Sequence, residues 1–419
     1  MKLRGAFVWL HRWVGLLMAG FLIVVGITGS LLAFNVELER VFAPQLFAKS
    51  RPGAAPLDLA TLAERAQKQL PQAQVTSVTF QEPDQVSVGI APLNGTDGRA
   101  GPELAFDEFY VDPWTGDELG RRKRGDLSEG LINLMPFIYD LHWRLALGDL
   151  GQWTLGILAL IWTIDCFVGF YLTLPQGSKN VWRRWKPAWL IRSNASAYRL
   201  NFDLHRAGGL WFWLLLFIFA WSSVMMDIRP AYEWVMRRLF DYQDSRAIAS
   251  ILDTRGSPHD PRIGWREALA TGEYLVASQS AQRNFVAGPP LSFAYFPNAN
   301  LYFYEFRGSR DLFERSPKGG SSYVAFDGDT GALIEASEPT GEHAGNTIED
   351  WLYALHMARV FGMPYRILVF LLGLVIAILS VTGIYIWWKK RAARAGRGSA
   401  VRGSRDIHPV NASTGPGRQ

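Results

Sequence analysis

The sequence predicts a membrane protein in which two repeats form a bundle of four transmembrane helices, with two α+β domains outside the bilayer. Hydrophobic residues make up 49% of the 419 residues and charged residues only 19%, and the chain contains 17 Trp and 25 Phe. The apolar excess is concentrated in a few stretches, which is typical of membrane spans. Motifs that recur at matching places then predict the two repeats.

Four stretches are long and apolar enough to cross a lipid bilayer. They cover residues 13–36, 152–174, 207–226 and 367–388, and the one charge within them is Asp165. Each has the roughly 20 residues that a helix needs to cross about 30 Å of hydrocarbon. No small-x-small cleavage site follows the first stretch, so we expect an uncleaved anchor.

The positive charges predict the orientation of these spans. The connector at 175–201 contains six basic residues and no acidic one, and basic residues also precede the first span and follow the last. By the positive-inside rule these segments and both termini are cytoplasmic. The net charge of +5 therefore reflects topology and not nucleic-acid binding. An RNA-binding role for the tail at 389–419 is the alternative, but its composition favours a disordered segment.

The two long polar segments that face outward repeat one pattern. Helical spacing at 57–70 and at 264–275 is followed in both by alternating strands. Each segment then carries an Asp-x-x-Thr-Gly motif, at 112–116 and 327–331. This motif predicts a hairpin turn in which Asp accepts backbone hydrogen bonds and Gly takes a positive φ. A calcium loop is the alternative, although the further acidic ligands do not follow.

These observations divide the chain into spans with their interfacial segments, outer domains and basic cytoplasmic parts. The boundaries are 1–36, 141–174, 205–228 and 351–388 for the spans, 37–140 and 229–350 for the outer domains, and 175–204 and 389–419 for the cytoplasmic loop and tail. The only cysteine, Cys166, lies in the second span, which excludes disulfides within the chain and covalent haem attachment through C-x-x-C-H.

Four of the seven histidines occupy repeated positions. His11 and His205 both follow Leu and precede Arg at the cytoplasmic ends of spans one and three. His142 and His356 both belong to a Leu-His-x5-Gly motif at the outer ends of spans two and four. Each pair therefore shares one membrane level. The other histidines, at 259, 343 and 408, have no repeated counterpart.

Two histidines on different helices, at each of two levels, suit bis-histidine b-type haem. A helix bundle can hold the macrocycle between facing helices, and two imidazoles fill both axial positions, which favours electron transfer over oxygen binding. The sequence thus predicts two haem b groups. An arginine follows each histidine within three residues and could bind a propionate: Arg12, Arg144, Arg206 and Arg359.

Two alternatives to haem stay open for these histidines. Histidine and arginine near the ends of spans can simply lie at the interface, with their polar groups reaching water. A metal without haem is the second alternative, but two histidines per level are an incomplete ligand set for zinc, copper or iron.

Three acidic residues are further candidates for a functional role. Asp165 is costly in a span and could assist proton movement or a quinol site, or pair with Ser222 or Ser223. Its aligned position in span four is Ser380 or close to it. Asp140 and Asp203 each precede a histidine by two residues and could orient an imidazole.

Three stretches, "LHRWVGL", "LHRAGGLW" and "TGIYIWWKK", and the two Asp-x-x-Thr-Gly turns lie between the first span and about Arg391. With these motifs the chain resembles the PepSY-associated transmembrane family of bacterial inner-membrane proteins. This resemblance implies two PepSY-type periplasmic domains, the four histidines as haem ligands, and reduction of a ferric siderophore or another ferric chelate in iron uptake.

The resemblance leaves the electron donor and one rival function open. The chain has no G-x-G-x-x-G fingerprint, so a membrane quinol or a separate reductase would supply electrons. PepSY domains elsewhere are tied to peptidase inhibition. The alternative is therefore a non-enzymatic membrane protein that binds a peptide or protein partner, or senses a ligand, with the spans as its anchor.

Overall fold

The computed structural model describes residues 3–93, 104–177, 179–243, 260–312 and 321–405. His259 and His408 lie outside these ranges. The chain divides into two compact units, the first formed by Met1–Val24, Ile164–Leu216 and Val375–Gln419 and the second by Val25–Thr163 and Phe217–Leu374. The first unit is helical, and the second contains all of the strands described below.

The helices and strands follow the predicted order. The helices are α1 (Leu3–Leu32), α2 (Asn35–Phe42), α3 (Leu59–Gln69), α4 (Leu134–Arg144), α5 (Gly148–Thr173), α6 (Val181–Trp185), α7 (Ala197–Trp211), α8 (Trp213–Asp227), α9 (Arg229–Leu239), α10 (Trp265–Arg283), α11 (Ala344–His356) and α12 (Gly362–Arg405). The strands are β1 (Ala73–Glu82), β2 (Gln85–Pro92), β3 (Glu108–Val111), β4 (Glu118–Arg122), β5 (Ala287–Phe296), β6 (Leu301–Gly308), β7 (Ser322–Asp327) and β8 (Leu333–Ser337).

Three of the four predicted spans are single helices that are long and apolar enough to cross a membrane: α1, α5 and the part of α12 up to Ala393. The predicted third span differs, because α7 and α8 meet at a 68° bend. The bend follows Gly208 and Gly209, and adjacent glycines leave the helical backbone easy to deform. The described residues therefore contain three spans, or four if the bent pair crosses the membrane as one.

The two segments that the sequence predicts to face outward form one sheet. Its eight strands have the order β4-β3-β2-β1-β5-β6-β7-β8, and all neighbours are antiparallel. β1 of the first segment pairs with β5 of the second, with Val78 opposite Phe293. The sequence predicts two α+β domains; each segment does supply four strands and one helix that packs on the sheet, but the strands join. When β1 pairs with β5, the backbone groups along both strand edges form hydrogen bonds. In two separate domains these edges would stay unpaired.

Helices α3 and α10 cover this sheet with one shared core. Leu62 of α3, Leu269 of α10 and sheet residues such as Phe109 and Phe293 belong to the same buried cluster. The pattern of buried residues in α3 follows the predicted helical spacing. The hydrophobic face that each segment presents is therefore buried together with that of the other segment.

Both Asp-x-x-Thr-Gly motifs form the predicted hairpin turns. Asp112 Oδ1 accepts a hydrogen bond from the Trp114 amide at 2.7 Å, and Asp327 Oδ1 accepts one from the Thr330 amide at 2.8 Å. Gly116 and Gly331 have φ values of 70° and 69°, which a side chain would make costly. These turns join β3 to β4 and β7 to β8, so the hairpin prediction is confirmed.

The basic tail continues the last helix. The composition predicts disorder from residue 389, but the backbone of α12 is helical to Arg405. The first residues of the tail, Lys389 to Ala393, are good helix formers, so the helix continues past the predicted span. Residues 406–419 lie outside the described ranges.

Candidate functional site

In the first unit the structure brings His11 of α1 and His205 of α7 together. Their ring centroids are 6.2 Å apart, and the ring planes make an angle of 59°. His11 Nδ1 lies 3.0 Å from Oδ1 and 2.9 Å from Oδ2 of Asp165 on α5. His205 Nδ1 lies 3.0 Å from the carbonyl oxygen of Leu379 and 3.1 Å from Thr382 Oγ1, both on α12.

In the second unit the structure brings His142 of α4 and His356 of α11 together in nearly the same geometry. Their ring centroids are 6.3 Å apart, and the ring planes make an angle of 61°. His142 Nδ1 lies 3.0 Å from Thr28 Oγ1, and His356 Nδ1 lies 2.7 Å from Ser222 Oγ. Phe219 stacks on the His356 ring with a centroid distance of 4.8 Å.

The hydroxyl groups determine which nitrogen of each ring carries the proton. The hydroxyls of Thr28, Ser222 and Thr382 each donate to the carbonyl oxygen three residues earlier, at 3.3, 3.0 and 2.9 Å. A hydroxyl has one proton, so towards the imidazole it can only accept. Asp165 and the Leu379 carbonyl are acceptors as well. His11 and His205 therefore carry the proton on Nδ1, and the hydroxyls beside His142 and His356 favour the same tautomer, which leaves the lone pair on Nε2.

That lone pair is available in all four rings. Among the described residues no hydrogen bond uses the Nε2 of His11, His142, His205 or His356. Burial also lowers the pKa values of His142 and His356, so these two imidazoles stay neutral, the form that ligates a metal. Metal-ligating histidines commonly hold their second nitrogen in such a hydrogen bond.

The spacing within each pair fits two imidazoles on one metal ion. Two metal–nitrogen bonds of about 2 Å, with about 1 Å from nitrogen to centroid in each ring, require centroids about 6 Å apart. The distances of 6.2 and 6.3 Å match this requirement. Within the described ranges no group of three or more His, Cys, Asp or Glu side chains could hold a metal ion. Two imidazoles per site are the protein ligands that a macrocycle bringing its own nitrogens would need.

The repeat extends to the residues around the rings. Thr28 and Ser222 are 194 residues apart, as are His11 and His205. Gly169 and Gly383 are 214 residues apart, as are His142 and His356.

Glycines make room for two of the four rings. A Cβ at Gly383 would lie 3.3 Å from His205 Cε1, and one at Gly29 would lie 3.0 Å from His142 Cε1, both tighter than most Cβ contacts. A Cβ at Gly169 would lie 3.5 Å from His11 Cε1, which is an ordinary van der Waals contact.

The glycine that ends each Leu-His-x5-Gly motif has a backbone role. Gly148 and Gly362 have φ values of 59° and 60°, and each begins the helix that follows the histidine. A residue with a side chain would be strained in this left-handed conformation. The glycine therefore allows the chain to turn from α4 into α5 and from α11 into α12.

The acidic residues differ from the sequence-based expectations. Asp140 and Asp203 bond arginines instead of imidazoles: Asp140 pairs with Arg144, and Asp203 Oδ1 accepts from Arg206 at 2.8 Å. An i−2 residue on a helix faces away from residue i, which explains the difference. Asp165 does reach an imidazole, that of His11.

The hydroxyl partners proposed for Asp165 are engaged elsewhere. Ser222 contacts His356, and the Ser223 hydroxyl donates to the Phe219 carbonyl oxygen at 2.9 Å. The repeat offset of 214 residues aligns Asp165 with Leu379, next to the expected Ser380.

The four arginines have different surroundings. Arg206 also donates to the carbonyl oxygen of Pro187 at 2.7 Å, while its Nε is buried with no partner among the described residues. Burial lowers the pKa of Arg359. Arg12 makes no hydrogen bond or ion pair with a described residue. An orphaned, buried guanidinium nitrogen such as that of Arg206 suits a carboxylate ligand.

Sequence reasoning identified the histidines but not the groups that hold them. Thr28, Thr382 and the role of Ser222 were missed, because threonine and serine are common in spans and usually bond their own helix. The signal that could have found Thr28 and Ser222 is their shared distance of 17 residues from His11 and His205.

Comparison with known proteins agrees with the motifs. A family model described as the PepSY-associated TM region matches residues 8–390, which is most of the chain. Comparison with curated proteins found no match. Because this match covers well over half of the chain and includes both histidine pairs, the chain belongs to the PepSY-associated transmembrane family.

Proposed function

We propose that this protein is a transmembrane di-haem b electron-transfer protein that reduces a periplasmic ferric chelate, as a ferric-siderophore reductase does in iron uptake. The observation that carries the proposal is the pair of matching imidazole sites, with ring centroids 6.2 and 6.3 Å apart and every Nδ1 hydrogen-bonded. Haem iron, when bound, supplies one-electron redox chemistry.

The histidines and their partners have separate roles in this proposal. His11 with His205, and His142 with His356, would hold the two haems through Nε2. The Nδ1 hydrogen bonds fix the tautomer and the orientation of each ring before binding. With two imidazoles to hold it, the haem at each site would supply electron transfer, not oxygen binding.

Charged groups nearby support a ligand with carboxylates. Arg206 has a buried Nε without a partner, and Arg12 is free among the described residues. We assign these two arginines to haem propionates at the first site, and Arg144 and Arg359 to propionates at the second. Bidentate guanidinium–carboxylate pairing is strong enough to orient a macrocycle.

The proposed topology follows from charge and family. The protein would lie in a bacterial inner membrane with both termini in the cytoplasm, as the basic connector and tail predict. A quinol or a separate reductase would donate electrons, and the ferric chelate would accept them on the periplasmic side. The rival function is a PepSY protein that binds a peptide or protein partner through the sheet, with the spans as anchor.

An absorption spectrum with haem quantitation separates the two functions. The purified full-length protein is expected to contain two haems per chain and to show α and β bands that sharpen on reduction. A colourless protein from haem-replete cells would contradict the reductase proposal and favour the anchor function.

Single-histidine variants test the assignment of the ligands. His142→Ala should leave one haem per chain, because His11 and His205 belong to the other site. His343→Ala is the matched control: His343 bonds Asp241 at 2.9 Å and belongs to neither pair, so this variant should keep both haems. Loss of both haems in His142→Ala would contradict the pairing.

A further inference from the structure

The two histidine pairs are nearly identical except for one carboxylate. Three of the four imidazoles bond neutral acceptors through Nδ1: hydroxyls at His142 and His356, a carbonyl and a hydroxyl at His205. The fourth, His11, bonds Asp165, whose two oxygens lie 2.9 and 3.0 Å from Nδ1. The repeat therefore conserves the hydrogen bond but not the charge of its acceptor.

Within the described ranges Asp165 pairs with no lysine or arginine. Its side chain is only 9% exposed, and among the described residues its one ion pair is with His11. Leu379, at the equivalent place in the second repeat, offers only its backbone carbonyl. A charge in a site of low dielectric acts strongly on groups a few ångströms away. The negative charge of Asp165 therefore acts on whatever His11 ligates.

We infer that Asp165 is a positioning residue that lowers the reduction potential of the haem held by His11 and His205. This inference rests on the proposed function. A carboxylate on Nδ1–H makes the imidazole a stronger electron donor, and its charge stabilises the more positive, ferric state. His142 and His356 have no such partner, so the haem between them has the higher potential.

This asymmetry gives electron flow a direction. Electrons move spontaneously from the site of lower potential to the site of higher potential, which is from the His11 pair to the His142 pair. In the proposed topology the His11 pair is at the cytoplasmic level and the His142 pair is at the periplasmic level. Asp165 thus favours outward flow, the direction that reduction of a periplasmic ferric chelate requires.

Redox titration of Asp165→Asn tests the inference without measuring reductase activity. The titration uses the full-length chain in a His142→Ala background, so that only the haem of the His11 pair contributes. Asparagine keeps the shape and the acceptor oxygen but removes the charge. At a fixed ambient potential the ratio of ferric to ferrous haem should fall at least tenfold, a shift of 59 mV for one electron.

A second variant and a control keep the result interpretable. Asp165→Thr supplies the hydroxyl acceptor found at His142 and should raise the potential in the same direction. Ser380→Ala is the control: the Ser380 hydroxyl donates to the Ile376 carbonyl oxygen of its own helix at 2.9 Å and bonds neither histidine among the described residues, so this variant should leave the potential unchanged.

Each outcome of the titration either supports or overturns the inference. An unchanged potential in haem-loaded Asp165→Asn would overturn it and leave the proposed function standing. Loss of the haem in both Asp165 variants would also overturn it, because Asp165 would then secure the ligand instead of setting its potential. Absence of haem from the unmodified protein would overturn the proposed function itself.

Discussion

At the scale of single residues, the side chains that bond Nδ1 of the imidazoles decide which ring nitrogen carries the proton. A hydroxyl that already donates within its own helix can only accept from Nδ1. Thr28, Ser222 and Thr382 therefore favour the imidazole tautomer that carries its proton on Nδ1. Without such a hydrogen bond either ring nitrogen can carry the proton, and the ring is not held in one orientation. The polar residues in these apolar helices thus hold three of the rings through Nδ1 and leave Nε2 without a hydrogen bond among the described residues.

Replacing Ser222 should weaken one site and spare the other. Ser222→Ala removes the acceptor 2.7 Å from His356 Nδ1, and loss of such a partner typically costs roughly 10- to 100-fold in metal affinity. Haem titration of the apoprotein should show this loss at one site of the two. Ser223→Ala is the control, since that hydroxyl bonds only the Phe219 carbonyl oxygen. Equal effects of the two variants would refute the role of Ser222.

At the scale of elements, the periodic patterns predicted helices and strands well but not how they join. The alternating runs became β1, β2, β5 and β6, and both glycine turns formed, because these features depend on neighbouring residues. The pairing of β1 with β5 joins residues more than 200 positions apart and left no local signal. The bend between α7 and α8 was missed because a kink does not interrupt apolar composition.

Helix α11 contains a carboxyl group that should make stability depend on pH. Burial, with the nearby charges of Glu349 and Asp311, raises the pKa of Asp350 to about 8. In the unfolded chain an aspartate ionises near pH 4. Between these two values the folded state binds more protons than the unfolded state, so the free energy of unfolding falls as pH rises from about 4 to about 8.

Asp350→Asn should remove this loss of stability. Asparagine cannot ionise, so the variant should be more stable than the unmodified protein at pH 8.5 and differ much less at pH 5. Denaturant titration at the two pH values measures both free energies of unfolding. Asp260→Asn, at an exposed position, is the control and should change neither. A stabilisation that is equal at both pH values would contradict the assignment to ionisation.

At the scale of the whole molecule, the repeat explains why the sequence predicted the histidine pairs and why it did not predict the contact of Asp165 with His11. Repeated motifs predicted two histidine pairs with one geometry, and the ring distances of 6.2 and 6.3 Å agree with that prediction. Repetition could not predict Asp165, because its partner position holds Leu379 and breaks the pattern. Asp165 and Leu379 are therefore the positions at which the repeat fails, and there the acceptor for Nδ1 is charged in one copy and neutral in the other.

The orientation of the chain can be tested with single cysteines, because Cys166 is buried and can be replaced. In a Cys166→Ser background, Ala54→Cys places a thiol in the first outer segment and Ser193→Cys places one in the basic connector, both at exposed positions. The connector carries six basic residues, so the positive-inside rule predicts that it stays in the cytoplasm. In intact spheroplasts a membrane-impermeant maleimide should therefore label position 54 at once and position 193 only after permeabilisation. The reverse pattern would invert the topology, and the lower potential inferred for the His11 pair would then drive electrons inward.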